Sequence, residues 1–266
     1  MTKKGILHKM KVSLDNGKVH YLLNIGESPI DMNQLIGHSI RLSFTGKIIC
    51  SSCTKETKKT FGDGFCYKCF TSAPEAAECI LRPELCRAHH GEGRDVEWEQ
   101  RNHNQPHLVY LAASDKVKVG ITRTTQVPTR WIDQGASKAI ILAETPNRYE
   151  AGVLEVALKD FFSDKTNWQR MLKNEVDNSI DLEEEKWELY DQLPSDLSKY
   201  FSENDEITEI EYPTINYPTK VKSLTFDKVS EFDGILMAIK GQYLIFEGGI
   251  VINIRRHTGY EVELNF

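Results

Sequence analysis

Five polar residues between positions 108 and 167 have the types and the spacing of a site for phosphodiester chemistry. Tyr110 lies in a short apolar run, and Lys118 begins the stretch Lys-Val-Gly-Ile-Thr. Arg130 follows, Glu155 lies on a predicted helix, and Asn167 comes last. One tyrosine, one arginine, one carboxylate and one amide are what the metal-assisted cleavage of a phosphodiester requires. The stretch therefore predicts a candidate nucleic-acid enzyme.

The helix predicted over residues 150–162 carries Glu155 inside an apolar arc. The arc consists of Ala151, Leu154, Leu158 and Phe162. A carboxylate buried on that arc needs a cation, a metal or a proton, because burying it alone costs several kcal/mol. Mg²⁺ or Mn²⁺, held largely by water and substrate phosphate, would suit it. The structural alternative is an ion pair of Glu155 with Arg130 or Arg148.

The other candidate residues also have structural interpretations. Tyr110 alone is typical of a core tyrosine at the end of a strand. Arg130 has an aromatic neighbour, Trp131, on which a structural guanidinium would stack. Asn167 could cap a helix or serve as a loop amide.

Four cysteines have the spacing of a zinc ribbon. Cys50-x2-Cys53 is followed after twelve residues by Cys66-x2-Cys69, and four thiolates so arranged can close a tetrahedron around zinc. Lys68 would favour the thiolate form. We expect a structural Zn²⁺ here.

A second metal-binding pattern begins ten residues after the ribbon. Its members are Cys79, Cys86, His89 and His90, and a fourth zinc ligand could come from His103 or His107. The alternative is that the two cysteines pack as small apolar groups beside histidines in a solvated loop.

Composition indicates a soluble globular protein in a reducing compartment. Hydrophobic residues make up 40% of the chain, and no apolar run reaches the roughly 20 residues of a membrane span. The N-terminus lacks a signal sequence core. We therefore expect a cytoplasmic location with no membrane contact, where cysteines are metal ligands more often than disulfides.

The net charge of −6 is unevenly distributed. Residues 174–211 carry 14 acidic side chains and two lysines, a local charge of −12, which leaves +6 for the remainder. Residues 101–148 carry seven basic and three acidic side chains. This separation is compatible with phosphate binding, although the overall charge argues against tight non-specific DNA binding.

The predicted fold class is α+β. β-rich N- and C-terminal segments flank an inserted zinc ribbon and an α/β core with a small antiparallel sheet, and a second helix is predicted over 181–193. We expect the two terminal segments to meet in one barrel or sandwich, because neither alone supplies enough strands. The predicted segments are 1–49 (β), 50–107 (zinc-binding), 108–173 (α/β core), 174–211 (acidic, helical) and 212–266 (β).

The 108–167 stretch resembles the GIY-YIG nuclease superfamily. Leu108-Val109-Tyr110 is similar to the first element of that core and Lys118-Val119-Gly120 to the second. Arg130 stands in the place of the superfamily's arginine, and Glu155 and Asn167 resemble its closing glutamate and asparagine. The sequence departs from the pattern at Leu108, which replaces a glycine, and at Lys118, which replaces a tyrosine.

The resemblance implies roles for these residues. Tyr110 would position or deprotonate the attacking water, Arg130 would neutralise charge on the phosphorane, and Glu155 would hold the divalent metal. Asn167 would brace the site. Lys118 could contact phosphate, act as a base, or mark a site that binds without cutting.

The whole-chain pattern also resembles a bacterial zinc-ribbon family of unknown function. The matching phrases are Val119-Gly120-Ile121-Thr122, the residues 130–136, the residues 164–168, and Lys240-Gly241-Gln242-Tyr243-Leu244. Three functional classes follow: a metal-dependent endonuclease acting on DNA or RNA, a non-catalytic nucleic-acid-binding module, and a zinc-organised protein-interaction module that uses 174–211.

Overall fold

Residues 1–26, 28–162 and 167–266 are described by the computed structural model. In this part of the chain the strands are β1 (Thr2–Ile6), β2 (Lys11–Asp15), β3 (Lys18–Ile25), β4 (Ser28–Asp31), β5 (Ser39–Ile48), β6 (His107–Ala113), β7 (Val117–Arg123), β8 (Lys138–Thr145), β9 (Thr208–Glu209), β10 (Lys222–Leu224), β11 (Glu231–Lys240), β12 (Tyr243–Phe246), β13 (Ile250–Asn253) and β14 (Tyr260–Asn265). The α-helices are α1 (Tyr67–Ser72), α2 (Val96–Asn102), α3 (Thr129–Asp133), α4 (Arg148–Ala157), α5 (Trp168–Leu172) and α6 (Leu182–Tyr190). The predicted α+β class is confirmed.

The chain divides into two compact units. The first unit contains residues 1–71 and 211–266, and the second contains residues 72–210. The segment 50–107, which the sequence presents as one zinc-binding region, is thus shared between them. The four ribbon cysteines belong to the first unit, whereas Cys79 and Cys86 belong to the second.

In the first unit, strands from both ends of the sequence form one sheet. Over the described residues its order is β1-β14-β5-β11-β12-β13-β10, antiparallel except for the β10–β13 pair. A smaller antiparallel sheet, β2-β3-β4, begins with a hairpin at Asn16 and Gly17, both with positive φ. Asn-Gly is the pair that such a turn favours, as the sequence predicts.

Gln242 connects two distant parts of the first unit. Its side-chain oxygen accepts a hydrogen bond from the N–H of Met10 at 2.8 Å, and its amide nitrogen donates to the carbonyl of Met10 at 3.2 Å. Both residues are buried. This pairing gives a structural reason for a glutamine in the Lys-Gly-Gln-Tyr-Leu phrase.

In the second unit, β6 is buried along its whole length. It lies inside the antiparallel order β7-β6-β8-β9 that the described strands form. Val109 and Leu111 pack in one apolar cluster with Ala151 and Leu154 of α4. Successive strand residues point to opposite faces of the sheet. Tyr110 therefore lies on the face opposite that cluster, where its ring contacts the ring of Trp131 on α3.

The two predicted helices are present with shorter bounds. The first begins at Arg148, because the side chain of Asn147 accepts the N–H of Glu150, and it ends at Ala157. The second covers Leu182–Tyr190 and begins after the Asp181 cap. Among the described residues, no helix combines the length and the apolar character that crossing a membrane requires.

The acidic 174–211 segment, except for Glu211, is part of the second unit and contributes to its core. Leu182 and Leu189 of α6 join the apolar cluster of β6 and α4. Lys186 is fully buried and donates to the carbonyl of Asn204 at 2.8 Å and to the carboxylate of Asp205 at 2.9 Å. One face of this helix is therefore part of the core, while its glutamates remain outside.

Candidate functional site

The four ribbon cysteines form one cluster. Their sulfur atoms all lie within 4.8 Å of one another, and the Sγ atoms of Cys53 and Cys66 are 3.9 Å apart. Tetrahedral zinc with Zn–S bonds of about 2.3 Å would separate its sulfurs by about 3.8 Å. Cys50, Cys53, Cys66 and Cys69 can therefore bind a structural metal ion.

Backbone hydrogen bonds prepare the ribbon for a metal. Burial raises the pKa of Cys50, but N–H groups of Cys66, Cys53 and Ser52 lower it to about 6 overall. Burial raises the pKa of Cys69 to about 11. A thiolate is thus favoured at Cys50, in the first Cys-x2-Cys pair, because the N–H of Cys66 donates to its sulfur at 3.2 Å.

Within the first unit, the ribbon packs closely against the C-terminal residues that precede β14. A Cβ at Gly64 would lie 2.7 Å from Cγ2 of Thr258, so only glycine allows this approach. Arg255 donates to both carboxylate oxygens of Asp63, at 2.9 and 2.6 Å. The cysteine cluster and the large sheet are therefore held together within one unit.

One surface of the ribbon combines exposed rings with lysines. Tyr67 is 67% exposed and Phe70 is 37% exposed, and both rings lie near Phe61. The Lys59 ammonium lies 5.3 Å from the centre of the Phe61 ring. The ribbon segment also carries four exposed lysines: Lys55, Lys58, Lys59 and Lys68. We call Phe61, Tyr67, Phe70 and these lysines the ribbon surface.

A second cluster lies in the other unit. The ligand atoms of Cys79, Cys86 and His103 are within 4.8 Å of one another, and all three residues are buried. The structure thus brings His103 to the two cysteines. His89 and His90 lie outside this group; their rings are in contact at a tilt, and His89 stacks on Tyr149.

His107, the other candidate fourth ligand, is also outside the group. Its Nδ1 lies 2.7 Å from the carbonyl of Gln105. Its Nε2 is buried and has no hydrogen-bond partner in the described part of the chain. Burial lowers the pKa of His107 to about 4, so its imidazole is neutral.

The phenol of Tyr110 lies across the neighbouring strand. The register of β6 and β7 pairs Tyr110 with Gly120. A Cβ at Gly120 would lie 2.6 Å from the phenolic oxygen, and that oxygen donates a hydrogen bond to Oε1 of Gln134 at 2.7 Å. Glycine at position 120 therefore provides the space for the phenol.

Tyr110, Arg130 and Glu155 are within electrostatic reach of one another. Burial raises the pKa of Tyr110 to about 12, while the positive charge of Arg130 opposes the increase and the negative charge of Glu155 adds to it. Tyr110 is 1% exposed, whereas Arg130 and Glu155 are partly exposed. The phenol is thus buried, whereas the guanidinium and the carboxylate each keep some contact with solvent.

Glu155 lies among several cations. Burial raises its pKa, and the charges of Lys159, Arg148 and Arg130 lower it, while Glu84 raises it. The carboxylate consequently has both the positive neighbours of an ion pair and a second carboxylate nearby. This arrangement is compatible with either the structural or the metal-binding interpretation.

Lys118 and Asn167 contact residues other than Tyr110, Arg130 and Glu155. Lys118 shares a sheet face with Tyr110, two residues along from Gly120, but its Nζ lies 3.7 Å from Oδ1 of Asp115. Burial lowers its pKa. The side chain of Asn167 is exposed and accepts the N–H groups of Gln169 and Arg170 as the cap of α5. In the 164–168 phrase, residues 164–166 lie outside the described residues.

Sequence reasoning missed two residues around this site. Gln134 accepts the hydrogen bond of Tyr110, and Glu84 contributes the second carboxylate near Glu155. Gln134 lies in the 130–136 phrase that already stands out in the sequence. Glu84 carries no such signal, because only the packing of α4 on the Pro83–Leu85 turn brings it close.

The comparisons with known proteins give one match. A model of the family described as "Protein of unknown function (DUF2797)" matches residues 37–262, which is most of the chain. No curated protein and no solved structure matches the chain significantly.

Proposed function

We propose that this chain, which belongs to the DUF2797 family of proteins of unknown function, binds nucleic acid and hydrolyses phosphodiester bonds with a divalent metal in the manner of GIY-YIG nucleases. One observation carries the proposal. In the second unit, the charges of Arg130 and Glu155 both act on the phenol of Tyr110, and the charge of Arg130 also acts on the carboxylate of Glu155. The three residues are separated by 20 and 25 positions in the sequence, and the fold brings them together.

The surroundings of each residue suggest its role. Tyr110 is a neutral phenol at neutral pH, because its pKa is about 12, so it orients a water or a phosphate oxygen instead of removing a proton. Arg130 offers a partly exposed guanidinium for the charge of a phosphate. Glu155, with Glu84 nearby, would hold Mg²⁺ or Mn²⁺, which supplies Lewis-acid stabilisation of the leaving oxygen when bound.

The ribbon surface supports nucleic acid as the ligand. Exposed rings can stack on unpaired bases, and lysines can contact the phosphates that connect them. The ribbon from Lys47 to Thr71 carries five lysines against Glu56 and Asp63, and Asp63 is already paired with Arg255. Its net positive charge contrasts with the −6 of the whole chain.

A non-catalytic nucleic-acid-binding module is the second candidate, and Lys118 favours it. The residue replaces the second tyrosine of the GIY-YIG pattern, and its ammonium is already engaged by Asp115. In addition, the Tyr110 hydroxyl already donates to Gln134. On this alternative the same residues bind phosphate without cutting it.

A cleavage screen separates the two candidates. Purified full-length protein is incubated with labelled single-stranded DNA, duplex DNA and RNA in the presence of Mg²⁺, Mn²⁺ or a chelator. The proposal expects metal-dependent products that disappear in Arg130→Ala and Glu155→Gln and persist in Glu144→Gln, an exposed carboxylate on β8. Salt-dependent binding without products under either metal would favour the non-catalytic module, and the absence of binding would contradict both.

A further inference from the structure

We propose that Cys79, Cys86, His103 and Glu99 form a second, structural zinc site that holds the beginning of α4. The inference concerns the folding of the second unit, so it stands whether or not the protein cleaves nucleic acid. It also differs from the ligand set that sequence spacing suggests, because neither His89 nor His90 takes part, His103 is retained from the two alternative fourth ligands, and Glu99 is new.

The distances fit zinc without rearrangement of three of the ligands. With zinc bonds of about 2.3 Å to sulfur and 2.05 Å to nitrogen, a sulfur and a nitrogen ligand at the tetrahedral angle lie about 3.6 Å apart. The Nδ1 atom of His103 lies 3.6 Å from the sulfur of Cys86 and 3.9 Å from that of Cys79. The three donors already surround a volume of the size of the ion.

The fourth ligand is best supplied by the protein. Cys79, Cys86 and His103 are 7%, 2% and 3% exposed, which leaves little access for a water ligand from bulk solvent. Glu99 is also 3% exposed, and its Oε2 lies 3.9 Å from Nδ1 of His103. Its carboxylate lies outside the group of donor atoms within 4.8 Å of one another, so binding the ion requires it to shift toward the sulfurs. A buried carboxylate beside two thiols needs positive charge, and a zinc ion would supply it.

The helical spacing of Glu99 and His103 supports the assignment. The two residues are four apart at the end of α2, a separation that places side chains on one helix face. The other oxygen of Glu99 accepts the N–H of Arg94 at 2.8 Å, which fixes the carboxylate in this direction. Ligands with such a second hydrogen bond are typical of metal sites.

The ligands also hold Arg148, the first residue of α4. The guanidinium donates to the carbonyls of Cys79 and Ile80, both at 2.9 Å, and the backbone N–H donates to the carbonyl of His103 at 2.9 Å. Two of the three carbonyls belong to proposed ligands. A metal that fixes these residues therefore fixes the start of the helix that carries Glu155.

The turn between the two cysteines packs directly on the same helix. A Cβ at Gly152 would lie 2.3 Å from the backbone nitrogen of Glu84 and 2.5 Å from the carbonyl carbon of Pro83. The segment leaves its large apolar residues Leu81 and Leu85 exposed, and its buried cluster consists of the small residues Ala77, Cys79, Cys86 and Ala88. Metal coordination is the interaction that can order so small a core.

The test measures zinc, not activity. Elemental analysis of the full-length protein should give two zinc ions per chain, and Cys86→Ser and Cys66→Ser should each give one. Because Cys86→Ser could disturb folding, the isosteric Glu99→Gln is compared with His107→Gln in a chelator competition. We expect Glu99→Gln to release one of the two ions at least about tenfold more readily, while His107→Gln behaves like the wild type.

Hydrogen–deuterium exchange provides a second readout in the same samples. In Glu99→Gln the peptide covering the start of α4 should exchange faster, since the N–H of Arg148 depends on the carbonyl of His103, whereas the α6 peptide should not change. A single zinc ion in the wild-type protein, or two ions retained in Cys86→Ser, would overturn the site. Loss of zinc in His107→Gln but not in Glu99→Gln would overturn the choice of Glu99.

Discussion

At the scale of single residues, the surroundings of Tyr110 decide which role its phenol can have. Burial keeps the pKa of Tyr110 near 12, so the hydroxyl retains its proton at neutral pH and donates a hydrogen bond to Oε1 of Gln134. Gly120 leaves the space that the ring occupies. A phenol in this position can orient a ligand, but it is a poor base unless the metal or Arg130 stabilises its anion.

Lys240 provides a residue-scale prediction about pH. This lysine is fully buried in the first unit, with its ammonium 5.1 Å from the ring centre of Tyr212 and 5.6 Å from that of Tyr217. Burial lowers its pKa from 10.5 to about 8. The charged form is thereby disfavoured by roughly 3 kcal/mol in the folded state.

The sign of the pH effect follows from proton binding. Between pH 8 and 10.5 the unfolded chain holds the Lys240 proton and the folded chain does not, so the free energy of unfolding rises with pH in this window. Relative to Lys240→Met, the wild type should gain roughly 2 kcal/mol between pH 7.5 and 9.5 in urea unfolding. Lys47→Met, at an exposed position, is the control; equal pH slopes in wild type and Lys240→Met would contradict the prediction.

At the scale of elements, the contact between α4 and the Pro83–Leu85 turn depends on Gly152. Helix propensity alone favours alanine over glycine by about 1 kcal/mol. The new Cβ would, however, lie 2.3 Å from a backbone nitrogen that cannot move without displacing the turn. We therefore expect Gly152→Ala to lower the free energy of unfolding by about 1–3 kcal/mol.

Val156→Ala on the same helix is the matched control for Gly152→Ala. Its side chain is 42% exposed, so its effect should stay within about 0.5 kcal/mol. Denaturant unfolding of the two variants makes the comparison. A stabilised Gly152→Ala would show that the helix and the turn are not in close contact.

The ribbon surface gives an element-scale prediction about binding. Tyr67 is its most exposed ring, and stacking on a base contributes about 1–3 kcal/mol. Tyr67→Ala should weaken binding of single-stranded DNA by about tenfold or more in fluorescence anisotropy and leave the zinc content unchanged. Tyr190→Ala, which removes another exposed ring, on acidic α6, should have little effect. Equal losses in both variants would rule out the ribbon surface as the contact.

At the scale of the whole molecule, the sequence predicts what local spacing determines. Each correctly predicted feature depends on residues that lie within about twenty positions of one another in the sequence. These features are the ribbon cysteines, the turn at Asn16-Gly17 and the helix that carries Glu155. The α+β class follows from the same patterns. These are the features in which prediction and structure agree.

Long-range pairings escaped prediction for a physical reason. The sequence offers His103 only as one of two alternative fourth ligands, beside the nearer His89 and His90. The fold nevertheless brings His103 to Cys86 and Cys79, across 17 and 24 residues. Glu84 reaches Glu155 only because Gly152 lets α4 pack on its turn. Such contacts depend on the path of irregular segments, for which side-chain periodicity gives no information.

The central claim is that Tyr110, Arg130 and Glu155 form a site that cleaves phosphodiester bonds. The most direct measurement is the single-turnover rate on the best nucleic-acid substrate in Mn²⁺, for wild type, Glu155→Gln and Glu144→Gln. We predict a rate reduced at least about 100-fold in Glu155→Gln, since that change removes the carboxylate proposed to bind the metal, and an unchanged rate in Glu144→Gln. Equal rates in wild type and Glu155→Gln, with both proteins folded and zinc-loaded, would contradict the account.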